Sequence, residues 1–223
     1  MTVLLVLGLA HLLNDLMQSL IPAAYPILKA EHGLSLTQIG MITMTFQIAG
    51  SLLQPVIGMV TDRHPAPYSP VAGMMFTLSG LVSLAYAHSY QIILISVALI
   101  GIGSSIFHPE ATRMARYAAG GRQGFAQGIF QVGGQAGGAL GPVFAALIIV
   151  PWGQPSLAIF AVAALIAMMM LVWIGSRQRE ISAEFVANRA ATKKGATPRP
   201  ITPPDHRDRA CGADAADVFQ ERL

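Results

Sequence analysis

The sequence predicts an all-α integral membrane protein of six transmembrane helices, built as two inverted repeats of three, and three observations carry that reading. Only 11% of the 223 residues are charged while 53% are hydrophobic, against roughly 25% charged in a soluble domain. No Asp, Glu, Lys or Arg occurs from 32 to 61, from 64 to 109 or from 123 to 176, runs of 30, 46 and 54 residues. A five-residue motif in the second apolar segment returns in the fifth.

Crossing a hydrocarbon core of about 30 Å takes about 20 helical residues, so each of the two longer runs holds two spans. Backbone in lipid must satisfy its own hydrogen bonds, which makes each span a helix. Turn residues set the divisions, and the spans fall at 3–28, 37–60, 70–87, 91–117, 125–150 and 157–175. The connections at 29–36, 61–69, 88–90, 118–124 and 151–156 are short, which favours antiparallel neighbours.

Orientation follows from the cations near the span ends. Arg63, Arg113, Arg116, Arg122, Arg177 and Arg179 fall on one side and Lys29 on the other, which puts both termini in the cytoplasm. A membrane domain is therefore expected over 1–180. The remainder, 181–223, has no apolar run of spanning length and carries Pro198, Pro200, Pro203 and Pro204 among dispersed charges, the composition of a disordered cytoplasmic tail. A pI near 9.3 could point to nucleic acid, but the basic residues flank spans or lie in the tail, so topology accounts for them and no nucleic-acid partner is expected. Cys211 stands alone and reports no redox compartment. Residues 1–13 lack the leading cations and the cleavage site of a signal peptide and read as the start of a span, with a leader missing as the alternative.

The repeat is Phe46-Gln47-Ile48-Ala49-Gly50 in the second span and Phe130-Gln131-Val132-Gly133-Gly134 in the fifth, each followed by a proline, Pro55 or Pro142. Those two spans cross in opposite directions, so spans one to three and four to six are inverted counterparts, an arrangement common among transporters.

Polar residues inside the spans are the functional candidates. His11, Asn14, Asp15 and Gln18 follow the i, i+3, i+4, i+7 spacing of one helical face. A carboxylate within a span is costly unless paired, hydrated or protonated, which makes Asp15 a candidate for proton coupling or substrate binding. Interhelical hydrogen bonding is the competing explanation for this row. In the fourth span Phe107-His108-Pro109-Glu110 precedes Arg113 and Arg116, and Ser104, His108 and Thr112 form a second polar row. Pro109 removes a backbone donor and should kink the helix. Two readings stand for Glu110 and Arg113: a cavity-lining site in which Arg113 attracts an anion and Glu110 or His108 titrates, or a structural ion pair across one turn.

In the fifth span Gly133, Gly137 and Gly141 recur every fourth residue before Pro142, a spacing that lets another helix come close. Gln127, Gln131 and Gln135 share that interval, as Thr43, Gln47, Ser51 and Gln54 nearly do in the second span. These amide rows fit a wet cavity wall or interhelical hydrogen bonds. After the second span, Gly58-Met59-Val60-Thr61-Asp62-Arg63 places Asp62 at a helix C-terminus, where a cation or another helix's N-terminus must compensate it; a solvated turn is the plain alternative. Phosphate loops, catalytic triads and metal-ligand spacing are missing from the sequence, so neither an enzyme nor a cofactor nor a metal is expected.

These motifs together resemble a known family. Gly58 to Arg63 looks like the opening of the loop signature between the second and third spans of the major facilitator superfamily, and Gly137-x-x-x-Gly141-Pro142 resembles its fifth-span antiporter signature. With His11-Leu12-Leu13-Asn14-Asp15, Ser51-Leu52-Leu53-Gln54-Pro55 and Phe107-His108-Pro109-Glu110, the chain resembles the N-terminal half of the fosmidomycin resistance family over residues 4–180. The resemblance implies half of a proton-coupled antiporter exporting an anionic drug, with protons, lipid and a missing C-terminal half or second copy as its partners. It implies that Asp62 and Arg63 latch the cytoplasmic gate. Pro65, Ala66 and Pro67 depart from the loop signature, and Ala145-Ala146 replaces the final glycine pair of the antiporter signature. Family members have twelve spans, so a truncated chain is expected, with an inert or modulatory membrane protein and a homodimeric half-transporter as alternatives.

Overall fold

The computed structural model describes the backbone of residues 1–63, 66–119 and 122–193 and the side chains of 1–61, 66–119 and 122–177. Every regular element among them is helical. By compactness the chain divides at Ile174: the unit Met1–Ile174 carries the sites described below, and from Gly175 the backbone stays helical through Lys193. The tail expected over 181–223 lies mostly outside the described part, which ends at residue 193.

The first span is two helices, α1 (Thr2–Ala23) and α2 (Tyr25–His32). The division at Ala24 has a local cause: Pro26 has no N–H to give to the carbonyl of Pro22. Gly33, at φ 61°, ends α2 in the left-handed conformation that glycine adopts without steric cost. A capping box then starts α3 (Leu36–Gln47), with Gln38 N–H donating to Ser35 Oγ at 3.2 Å and Ser35 N–H to Gln38 Oε1 at 2.9 Å. A π turn (Ile48–Leu52) joins it to α4 (Leu53–Arg63) beside Pro55. The third span is α5 (Ser69–Ala85) and the fourth α6 (Tyr90–Tyr117), which Ser89 caps and which carries Pro109 within it. The fifth contains α7 (Gln123–Phe144), a π turn (Ala145–Ile149) and α8 (Val150–Trp152). A 3₁₀ segment (Gln154–Phe160) leads into α9 (Ala161–Lys193).

Five of these stretches are long and apolar enough to cross a membrane: Thr2–Ala23, Leu36–Thr61, Tyr90–Tyr117, Gln123–Trp152 and Gln154–Arg177. The expected third span, Ser69–Ala85, has 17 residues, about 26 Å of helix at 1.5 Å per residue, and is the shortest. One of its faces is closely packed, with Gly73, Met74, Thr77, Gly80 and Leu81 all buried, while Met75, Phe76 and Val82 on the other are exposed.

Three helix pairings organise the fold. α1 packs along α7, α5 along α6, and α6 also lies against α3, the first π turn and α4. Under the inverted repeat the first and fourth spans are counterparts, as are the second and fifth; accordingly the first packs on the fifth and the fourth on the second. The repeated motif marks both crossings. A Cβ on Gly133 would stand 3.0 Å from Gly8 Cα, and one on Gly101 would stand 2.7 Å from the Phe46 carbonyl oxygen and 2.7 Å from Ala49 Cβ. Each crossing thus needs a glycine where two backbones meet.

Candidate functional site

Where α1, α6 and α7 meet, the polar face of the first span turns inward. His11, 3% exposed, and the fully buried Asn14 lie against α6 and α7, and Asp15 sits one turn below His11 with a quarter of its side chain accessible. His11 Nε2 is 3.1 Å from Asp15 Oδ2, and His108 Nε2, from α6, is 3.3 Å from Asp15 Oδ1. Asn14 Nδ2 donates to Asp15 Oδ1 at 3.0 Å. One carboxylate therefore holds together three polar side chains from two helices.

Each imidazole is anchored on its far side. His11 Nδ1 lies 2.8 Å from the Phe130 carbonyl oxygen, and its ring stacks on that of Phe130 with centroids 3.9 Å apart. His108 Nδ1 lies 3.0 Å from the Ser104 carbonyl oxygen, while Ser104 Oγ donates to Gln18 Oε1 at 3.0 Å. Gly134 makes the arrangement fit, since a Cβ there would come within 2.7 Å of His11 Nε2 and 2.8 Å of Asp15 Oδ2. Among the described residues the side-chain N and O atoms of His11, Asp15 and His108 all lie within 4.8 Å of one another. Sequence spacing offered no sign of this, because His108 is remote in the chain.

A cavity of about 330 Å³ opens beside the cluster between α4, α6 and α7. His108, Glu110, Arg116, Gln127, Gln131 and Gly58 are among its lining residues. Arg113 is placed differently from Arg116. It is 6% exposed, its Nη2 lies 2.5 Å from Oε2 of Glu110, which is 1% exposed, and its Nη1 donates to the Thr61 carbonyl oxygen at the end of α4. Of the two readings offered for this pair, the geometry is that of a packed ion pair joining α6 to α4, and the exposed guanidinium on the cavity wall is Arg116. Sequence reasoning had passed over Arg116 in favour of Arg113. Gln131 is exposed at the wall of the cavity that His108 also lines. Asp62 and Arg63 belong to α4 by backbone, but their side chains lie outside the described residues, so the expected gate latch does too.

Gly133, Gly137 and Gly141 form the seam with α1, facing Gly8, Leu12 and Ser19 in turn. Pro142 follows in the same helix, one turn before the second π turn. At the opposite end of the bundle Gln154, 4% exposed, donates through Nε2 to the carbonyls of Leu84 at 2.7 Å and Ala87 at 3.0 Å, and its Oε1 lies 2.7 Å from His32 Nε2. One buried amide thereby ties the ends of α2 and α5 to the turn before the last span. Nothing in the sequence singled out Gln154.

A bundle with internal inverted repeats, discontinuous helices and a polar cluster beside a cavity defines a membrane transporter fold. The chain belongs to the major facilitator superfamily, whose model matches residues 7–209. It is 54% identical over 187 residues to the fosmidomycin resistance protein of Escherichia coli (strain K12), a match covering 84% of this chain and 45% of that protein. It is 44% identical over 172 residues to the uncharacterised MFS-type transporter YfnC of Bacillus subtilis (strain 168), covering 77% of this chain and 42% of the relative. A probable sulfoacetate transporter of Cupriavidus necator is 27% identical over 135 residues, 60% of this chain and 31% of that protein. The chain thus spans less than half the length of these relatives. Members of this family are transporters rather than enzymes, as expected from the sequence.

Proposed function

We propose that the chain is the N-terminal half of a proton-coupled exporter of an anionic drug of the fosmidomycin type, embedded in the bacterial inner membrane with both termini cytoplasmic. The observation that carries the reading is Asp15, an acid within a span held between two histidines at the edge of a cavity. A carboxylate in that position, flanked by two imidazoles, makes a site that can gain and lose protons as the cavity changes sides. Arg116 on the cavity wall supplies the attraction for an anion, while Glu110 and Arg113 couple α6 to the end of α4, where Asp62 and Arg63 gate the cytoplasmic side. The relative named for fosmidomycin resistance supports the substrate class.

Alternating access works between two such halves. The exposed Gln131, Gln135 and Ser51 form a face that must be covered by a second six-helix unit, because polar groups left in hydrocarbon cost kcal/mol each. That unit is the remaining half of a longer protein; a second copy of this chain is the alternative. The test is drug accumulation in sensitive cells, with mass in mild detergent measured in parallel. Export that follows the pH gradient is expected only when a C-terminal half is supplied, and Asp15→Asn should abolish it while membrane insertion persists. Unchanged export by Asp15→Asn would remove Asp15 from the coupling role. Export by a stable dimer would support the second copy, and export by a stable monomer would contradict both readings.

A further inference from the structure

The contacts of the two histidines determine which of their nitrogens carries hydrogen. His11 Nδ1 faces the Phe130 carbonyl oxygen at 2.8 Å and His108 Nδ1 faces the Ser104 carbonyl oxygen at 3.0 Å. A carbonyl oxygen can only accept, so both Nδ1 atoms are the protonated ones, and in a neutral imidazole the other nitrogen is then a bare acceptor. Ser104 reinforces this: its hydroxyl hydrogen goes to Gln18 Oε1 at 3.0 Å, so it presents a lone pair to His108 Nδ1 at 3.2 Å. The two Nε2 atoms, left as acceptors, are the ones 3.1 and 3.3 Å from the oxygens of Asp15. His11 Nε2 is buried with no other hydrogen-bond partner. Asn14 donates one hydrogen to Asp15 Oδ1 but none to either ring. Acceptors that converge with no hydrogen between them repel, the more so where burial lowers the local dielectric.

We infer that His11, Asp15 and His108 form a single site that takes up two protons, one on each Nε2. This deepens the proton-coupled reading above and rests on it for the use to which the protons are put. Empty, the site carries the carboxylate's negative charge; one proton makes it neutral and two make it singly positive. Among the described side chains of the helices around the site, the other charged groups are Glu110, Arg113 and Arg116 of α6, and Glu110 and Arg116 share the cavity with His108. α1 contributes only His11 and Asp15, α7 has none, and on α6 Glu110 and Arg113 are engaged with each other while Arg116 stands at the cavity wall.

The experiment is nitrogen NMR of the full chain, labelled at its histidine rings and held in detergent, followed from about pH 8 to about pH 5, the interval in which histidine ordinarily titrates. At the alkaline end both rings should show the Nδ1–H tautomer, and both should become imidazolium on acidification. In Asp15→Asn both should remain neutral across the same interval. In His108→Gln, followed by indicator-dye proton uptake, the chain should take up one proton fewer than the wild type while His11 still becomes charged; this arm decides the matter if Asp15→Asn does not fold. An Nε2–H tautomer on either ring, charging of one ring only, or an Asp15→Asn titration like the wild type would overturn the assignment. Tight binding of cobalt(II) added alone, displacing the protons, would make it a metal site and overturn it equally. Failure here with export intact counts against the two-proton site alone. Loss of coupled export with both titrations intact counts against the export reading.

Discussion

Replacing Gly137 with alanine should loosen the α1–α7 seam, and Gly138 provides a matched control in the next residue. A Cβ on Gly137 would lie 2.9 Å from both Leu12 C and Leu16 N and closer still to the Leu12 carbonyl oxygen, whereas a Cβ on Gly138 meets nothing within 4 Å. Those neighbours are backbone atoms of α1, so no side chain can rotate away and the two helices must part by at least about 0.5 Å, a gap that forfeits about a quarter of the dispersion well for each pair of atoms it separates. Overpacking of this kind costs about 1–3 kcal/mol. Both variants gain the same helix propensity, about 1 kcal/mol for glycine to alanine in a helix interior, so their difference isolates packing. Gly137→Ala should therefore be less stable than Gly138→Ala by about 1–3 kcal/mol, roughly a 5- to 150-fold change in the folded-to-unfolded ratio. The assay is thermal or denaturant unfolding of the purified chain in one detergent, read by its far-ultraviolet helix signal. Gly138→Ala should equal or exceed the wild type. If the two alanine variants unfold together, the close approach of α1 and α7 is not what these glycines serve.

Removing the carboxylate of Glu110 takes away the partner of a buried guanidinium, so Glu110→Ala should destabilise the chain by roughly 3–5 kcal/mol; the apolar double variant Glu110→Leu with Arg113→Met should recover most of it in the same unfolding assay. Gln154→Ala would leave the Leu84 and Ala87 carbonyls without their shared donor and should cost about 1–3 kcal/mol, seen as a lower unfolding temperature with no change in membrane insertion. Reporter fusions after Lys29 and after Arg122 should report opposite sides of the membrane, because the cations flanking the spans are so unevenly divided; the same side for both would refute the six-span topology.

Composition and spacing alone determined the membrane class, the approximate positions of the helices and the polar face of α1. The reason is that lipid imposes a length and a polarity on every crossing segment, and charge-free runs of 46 and 54 residues meet those demands in few ways. The five-residue echo likewise paired the second span with the fifth before any contact was known. Other features depended on how the helices are rotated against one another, which no local pattern encodes. His108 reaches Asp15 only because α6 crosses α1 at that height. Arg113 and Arg116 stand three residues apart on one helix, yet packing against α4 buries the first in a pair with Glu110 and leaves the second on the cavity wall. Gly137 and Gly138 look alike as small residues, and only the approach of Leu12 and Leu16 makes one of them indispensable. The protonated nitrogen of His11 was set in the same way, by the Phe130 carbonyl that packing of α7 on α1 brings to the ring, whereas that of His108 follows from the Ser104 carbonyl one turn back in its own helix.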